Sequence, residues 1–169
     1  MIVVGVDPGL TGALSMLGHR AELLHLEDMP VMQRGDGSGA VKNQVNCSAL
    51  SELLREWLDP YDKNQIHVFI EQAQSMPAVI KGKVVQGGAS IFSTGLTAGM
   101  IEGVVASRGY PHTLVRPAEW KKVFKLKSAK EQARALAQRM YPEASLHRMK
   151  DHDRAESLLI AKYGFDKVA

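Results

Sequence analysis

The sequence predicts a mixed α/β fold, and three observations carry that expectation. Apolar runs of strand type alternate with segments of helical periodicity along the chain. Two of those runs, residues 2–6 and 67–70, each end on a carboxylate, Asp7 and Glu71. The last helical segment opens with two more acids three residues apart, Asp153 and Glu156.

The first strand covers residues 2–6, where Ile2, Val3, Val4 and Val6 are β-branched, and it delivers Asp7 to its end. Pro8, Gly9 and Gly12 then turn the chain and let backbone approach whatever Asp7 holds. Residues 12–17 and 21–26 follow as two strands, with Gly18, His19 and Arg20 as the hairpin turn. Residues 30–46 contain Arg34-Gly35-Asp36-Gly37-Ser38-Gly39 and are expected to form a mobile loop. Asn46 or Ser48 is placed to cap a helix ending near Leu58, with Leu50, Leu53, Leu54 and Trp57 on one face and Asp59-Pro60 as its stop.

The strand over 67–70 presents Glu71, after which residues 72–89 show no periodicity and read as a flexible loop. A helix over 90–108 carries Gly95, Gly99 and Gly103, a stripe suited to close packing on the sheet or on a partner subunit. A strand over 112–115 follows, and Pro117 opens a short helix with Trp120, Lys121 and Lys122. Ser128-Ala129-Lys130-Glu131 is a capping box that starts another helix. The last helix begins near Asp151 and has Leu158, Leu159, Ile160 and Ala161 on its apolar side.

The chain has 169 residues, 45% of them hydrophobic, which suits one globular domain over 1–169 with a real core. No run is expected to span a bilayer, because Glu102 and three glycines interrupt residues 91–106. The first strand starts almost at Met1, leaving no room for a signal peptide, and the single Cys47 fits a reducing compartment. A cytoplasmic protein is expected. A net charge of +3 permits nucleic-acid binding without demanding it.

Asp7, Glu71, Asp153 and Glu156 converge if the strands ending in Asp7 and Glu71 are neighbours and the last helix packs over them. Hard oxygen ligands without thiolates select Mg²⁺ or Mn²⁺. Two such ions about 4 Å apart activate a water and stabilise the leaving oxygen in phosphodiester hydrolysis. Each acid also has a plain reading. Asp7-Pro8-Gly9 is good turn chemistry, and Asp153 with Glu156 is a fair capping box. Asp7-Pro8-Gly9-Leu10-Thr11-Gly12 also looks like the first phosphate turn of actin-like and sugar-kinase ATPases. Those folds need two such domains and a second phosphate turn, which this sequence lacks.

Taken together, Gly5-Val6-Asp7-Pro8-Gly9, Ile70-Glu71-Gln72 and Asp153-Arg154-Ala155-Glu156-Ser157-Leu158-Leu159-Ile160-Ala161 resemble the RuvC-type Holliday junction resolvases of the RNase H-like and retroviral-integrase superfamily. The resemblance implies an RNase H-like mixed five-stranded sheet flanked by helices on both faces. It implies a homodimer that grips a four-way DNA junction and nicks two opposed strands with Mg²⁺, Mn²⁺ substituting. Asp7, Glu71, Asp153 and Glu156 become the metal-binding and catalytic acids, and Lys121 and Lys130 the lysines near the scissile phosphate. Lys81, Lys83, Lys122 and Lys127 are candidate DNA-phosphate contacts alongside them. Trp120 suits a core position under its short helix.

The chain departs from the family pattern in places. Glu156 stands where aspartate is common, and Asp151 and His152 sit beside the acid pair as further candidates. The segment after Glu71 lacks a base-wedging aromatic, for which Met76 is a candidate substitute. The insertion at 30–46 points to a phage or viral branch. The same fold also serves other nucleases and catalytically idle DNA-binding relatives, which stand as alternatives.

Overall fold

Strand β1 (Ile2–Asp7) is the middle of a five-stranded sheet in the computed structural model, which describes residues 1–35, 41–74, 79–80, 83–84, 88–127 and 130–168. The chain continues through β2 (Ala13–Leu17), β3 (Leu23–Asp28), β4 (Val31–Gly35), β5 (Val41–Val45) and α1 (Cys47–Leu58). Then come β6 (Ile66–Glu71), β7 (Val79–Ile80), β8 (Lys83–Val84), α2 (Gly88–Ser107) and β9 (His112–Val115). Helices α3 (Pro117–Val123), α4 (Lys130–Met140) and α5 (His152–Val168) complete it. The sheet order is β3-β2-β1-β6-β9, antiparallel across β1, β2 and β3 and parallel across β1, β6 and β9.

Side chains alternate across the sheet, so each strand feeds two cores. Ile2, Val4, Val6, Val68 and Ile70 pack on one face with Leu50, Leu54 and Leu58 of α1 and Ile101 and Val105 of α2. Val3, Leu17 and Phe69 pack on the other with Leu158, Leu159, Ile160 and Ala161 of α5 and with Trp120 and Ala137. The expected five-stranded mixed sheet with helices on both faces is what forms.

Helix α5 reaches the sheet through missing side chains. A Cβ at Gly5 would lie 2.2 Å from the Ser157 carbonyl oxygen and 2.4 Å from the Ala161 amide nitrogen. A Cβ at Gly164 would lie 2.2 Å from the Phe69 ring. Both contacts leave backbone against its neighbour at a spacing that only glycine permits.

The structure differs from the sequence expectation at several elements. Residues 30–46 were expected as a loop, yet β4 and β5 pair as an antiparallel ribbon with Arg34 opposite Lys42. Val31, Val41 and Val45 supply strand propensity on both arms. Residues 36–40, with most of the Gly-Asp-Ser cluster, lie outside those described. Within the expected loop 72–89, β7 and β8 form a short antiparallel pair.

Strand β3 begins at Leu23 rather than residue 21. Ala21 takes φ +62 and the Glu22 carbonyl accepts the Gly18 N–H, which lengthens the turn. Helix α2 starts two residues early, at Gly88, and by length and composition it is long and apolar enough to cross a bilayer, contrary to expectation. Here it packs on α1 through its buried Ile101, Val104 and Val105. Gly95, Gly99 and Gly103 face open space, so the stripe does not pack on the sheet.

Gly5→Ala is expected to cost about 1–3 kcal/mol by overpacking two backbones. For a chain of this size that is a fall of roughly 3–10 °C in Tm by thermal denaturation.

Candidate metal centre

The strand alternation that builds the two cores also aims the acids. Val6 lies opposite Ile70 in the parallel β1–β6 pair, with both side chains in the α1–α2 core. The next residue of each strand, Asp7 and Glu71, therefore projects to the α5 face. Helix α5 begins at His152, so Asp153 and Glu156 lie in its first turns, three residues apart on one side. Because β1 and α5 meet at Gly5, that side comes down beside Asp7. Carboxylate oxygens of Asp7, Asp153 and Glu156 all lie within 4.8 Å of one another. Asp153 and Glu156 are each only 8% exposed.

The fourth acid is held apart from this trio. Glu71 Oε2 accepts a hydrogen bond from the Trp120 indole Nε1 at 2.7 Å, and Trp120 is 0% exposed. Burial pushes the Glu71 carboxyl above the usual carboxylate range; the Trp120 N–H and Lys121 work against that, and the charge of Glu156 adds to it. Trp120 is thus in the core, as expected, and also fixes an acid, which no sequence signal disclosed. The adjacent Lys121 places Nζ 3.1 Å from Glu156 Oε1 and 4.9 Å from the Trp120 ring centre. Consecutive residues of α3 therefore serve two different carboxylates.

Asp151 is only 3% exposed and is spent on local structure. Its Oδ2 accepts the Arg148 backbone N–H at 2.7 Å and its Oδ1 the Arg148 Nε–H at 2.9 Å. Burial works to raise the Asp151 carboxyl, but the Arg148 hydrogen bonds outweigh it and hold it below the usual range. His152 Nε2 lies 3.0 Å from Asp153 Oδ1, at the rim of the trio. Arg154 bonds Asp28 and ties α5 to β3. Asp153 lies inside α5 rather than at its cap position, so the capping-box reading of Asp153 and Glu156 does not describe the structure.

Of the basic candidates, Lys121 reaches the acids. Lys122 and Lys127 are exposed, and the Lys127 backbone N–H donates to Gln132. Lys130 is the first residue of α4 and Lys83 lies in β8, both described by backbone alone. Met76 and Lys81 fall outside the described residues.

An all-oxygen trio with a neighbouring lysine suits a hard divalent cation and offers nothing to favour zinc or copper. Three carboxylates this close repel one another, and a dication relieves that repulsion more fully than a single ammonium does.

No protein-family model matches the sequence, and no curated protein does. Solved structures do. A Thermus thermophilus RuvC in complex with Holliday junction substrate superposes with a TM-score of 0.64 at 18% identity, covering 99% of this chain and 94% of that one. Another T. thermophilus RuvC structure gives 0.55 at 17% identity, covering 99% and 95%. The fowlpox virus Holliday junction resolvase gives 0.52 at 13% identity, covering 100% of both chains. The likeness shows a fold shared with these proteins.

Trp120→Phe keeps an aromatic six-membered ring and loses the pyrrole ring with its N–H. If Glu71 is a ligand of a divalent cation, binding is expected to weaken by roughly 10- to 100-fold, the range for loss of a ligand's supporting hydrogen bond. Calorimetric titration with Mn²⁺ measures it.

Proposed function

We propose that the chain is a metal-dependent endonuclease that resolves four-way DNA junctions, its residues 1–169 acting as one RNase H-like domain in the cytoplasm. The observation that supports this reading most is the Asp7, Asp153 and Glu156 trio, within 4.8 Å, at the end of the central strand. A cluster of that kind is costly to assemble in a part-buried site without a cationic function.

Asp7, Asp153 and Glu156 would hold Mg²⁺, or Mn²⁺ in its place, with Glu71 as the fourth ligand of a two-ion site. Such ions supply an activated water and a stabilised leaving oxygen in phosphodiester hydrolysis. Trp120 keeps the Glu71 carboxylate oriented and supports its ionised form. Lys121 is placed to bring a positive charge to the scissile phosphate, and Lys130, one residue into the next helix, is its proposed companion. Lys81, Lys83, Lys122 and Lys127, with Met76 as a junction wedge, extend the DNA-binding surface.

The substrate demands two centres acting on opposed strands, and α2 offers the surface for pairing them. Phe92, Gly95, Leu96, Gly99 and Gly103 recur at helical spacing along its outer side, and all are exposed. Small residues there let a second α2 approach closely, which supports a homodimer.

A labelled immobile four-way junction and a matched linear duplex, each with Mg²⁺ or chelator, test the activity. Paired symmetric nicks in the junction alone, absent with chelator, are the expected result. Asp7→Asn or Glu71→Gln should cut at least about 100-fold more slowly while junction binding persists, the scale on which losing one electrostatic group acts. Cleavage at near-normal rate in either variant would overturn the assignment.

Asp153→Asn with Glu156→Gln keeps both side chains' size and removes two mutually repelling charges. It should keep Tm and lose activity. A Cβ at Gly99 meets nothing within 4 Å, so Gly99→Leu should leave the fold intact. Sedimentation is expected to show that variant as a monomer.

A further inference from the structure

A trough leaves the acid centre on the α2 side, traced by three cavities that share walls. Asp153, Asp28, Val31 and Leu10 line the first. Leu10 also lines the second, together with Pro8, Gly9, Ser93 and Thr97. Ser93 and Thr97 also line the third, whose far side is Arg34, Lys42, Asn43 and Gln44 of the β4–β5 ribbon. The trough therefore runs from the carboxylates over the turn after Asp7 and along α2 to the ribbon.

Its chemistry changes along that course. The first cavity carries Asp28, Asp151 and Asp153 together with Arg148, Lys150 and His152, and among the described residues no carboxylate lines the second or third. Hydroxyls and backbone come next, then two amides and two cations. Arg34 lies opposite Lys42 in the ribbon register, so both cations stand on one ribbon face, and both are exposed. Neither β4 nor the described part of β5 contains an acid. The third cavity's outer wall is apolar, formed by Phe92 and Leu96. Hydroxyl, amide and guanidinium donors in series suit a sugar–phosphate backbone, and their bonds to phosphate oxygens carry no base readout.

We infer that this trough carries one DNA strand from the scissile phosphate to the ribbon, where Arg34 and Lys42 neutralise two phosphates beyond the cut. The inference rests on the nuclease reading above and adds to it a direction and an element. The strand leaves past Ser93 and Thr97, and the inserted ribbon is a backbone clamp indifferent to sequence. A two-stranded ribbon also has the dimensions to lie along a DNA groove.

The test is the salt dependence of junction binding, measured by fluorescence anisotropy on a labelled four-way junction with chelator present. Arg34→Gln with Lys42→Gln changes two exposed side chains and preserves the fold. Each lost phosphate contact removes about 0.7–0.9 from the slope of log K against log salt, so the double variant should lose about 1.4–1.8. An iron chelate tethered to Asn43→Cys in a Cys47→Ser background should cut the backbone on one side of the nick position only.

A slope equal to that of a binding-competent wild-type protein overturns the trough while leaving the nuclease reading intact. Tethered scission scattered over several arms does the same, and so does weaker binding of an acidic peptide, rather than of DNA, by the double variant. No junction binding by the wild-type protein overturns the reading on which the trough rests, and the trough with it.

Discussion

Helix α5 lies so close to β1 that the Ser157 carbonyl and the Ala161 amide leave no volume for a side chain at position 5. Four fully buried residues of that helix, Leu158, Leu159, Ile160 and Ala161, hold it there. Burying each of the larger three contributes about 1.5–3 kcal/mol relative to exposure. The same helix carries Asp153 and Glu156 in its first two turns, so apolar seating and acid placement are one event. A helix held farther out would part its acids from Asp7, and the trio would become three ordinary surface carboxylates.

Concentrating negative charge opposes folding, and the chain answers with one short helix. Helix α3 gives Trp120 to Glu71 and Lys121 to Glu156, a neutral donor for one acid and a cation for the other. The indole also stacks under the lysine, so the two side chains orient each other. Pro117 at the start of α3 fixes where this pair emerges from β9.

The sheet, the two-faced cover of helices and the ends of β1 and β6 were legible because short apolar runs, helical periodicity and terminal acids are local patterns. The convergence of Asp7 with Asp153 and Glu156 was legible only as a condition on how strands and helix pack. The Trp120 bond to Glu71 was not: indole N–H groups seek many partners, and 49 residues separate these two. Choosing among Asp151, His152 and Asp153 required the phase of the helix start, which the hydrogen bonds of Arg148 set. The ribbon β4–β5 was not legible, because the glycines of residues 35–39 outweigh three valines in a local reading. Gly95, Gly99 and Gly103 suit packing on the sheet or on a partner subunit, and among the described residues of this chain they pack on nothing.

The contact between Gly5 and α5 also orders events in time. A ribosome delivers Asp7 before Glu71 and Trp120, and Asp153 with Glu156 after all of them. Pairing the earliest strand with the final helix is a non-local contact, the kind whose closure is slow and late in folding. The trio of Asp7, Asp153 and Glu156 thus assembles only once α5 has seated on β1.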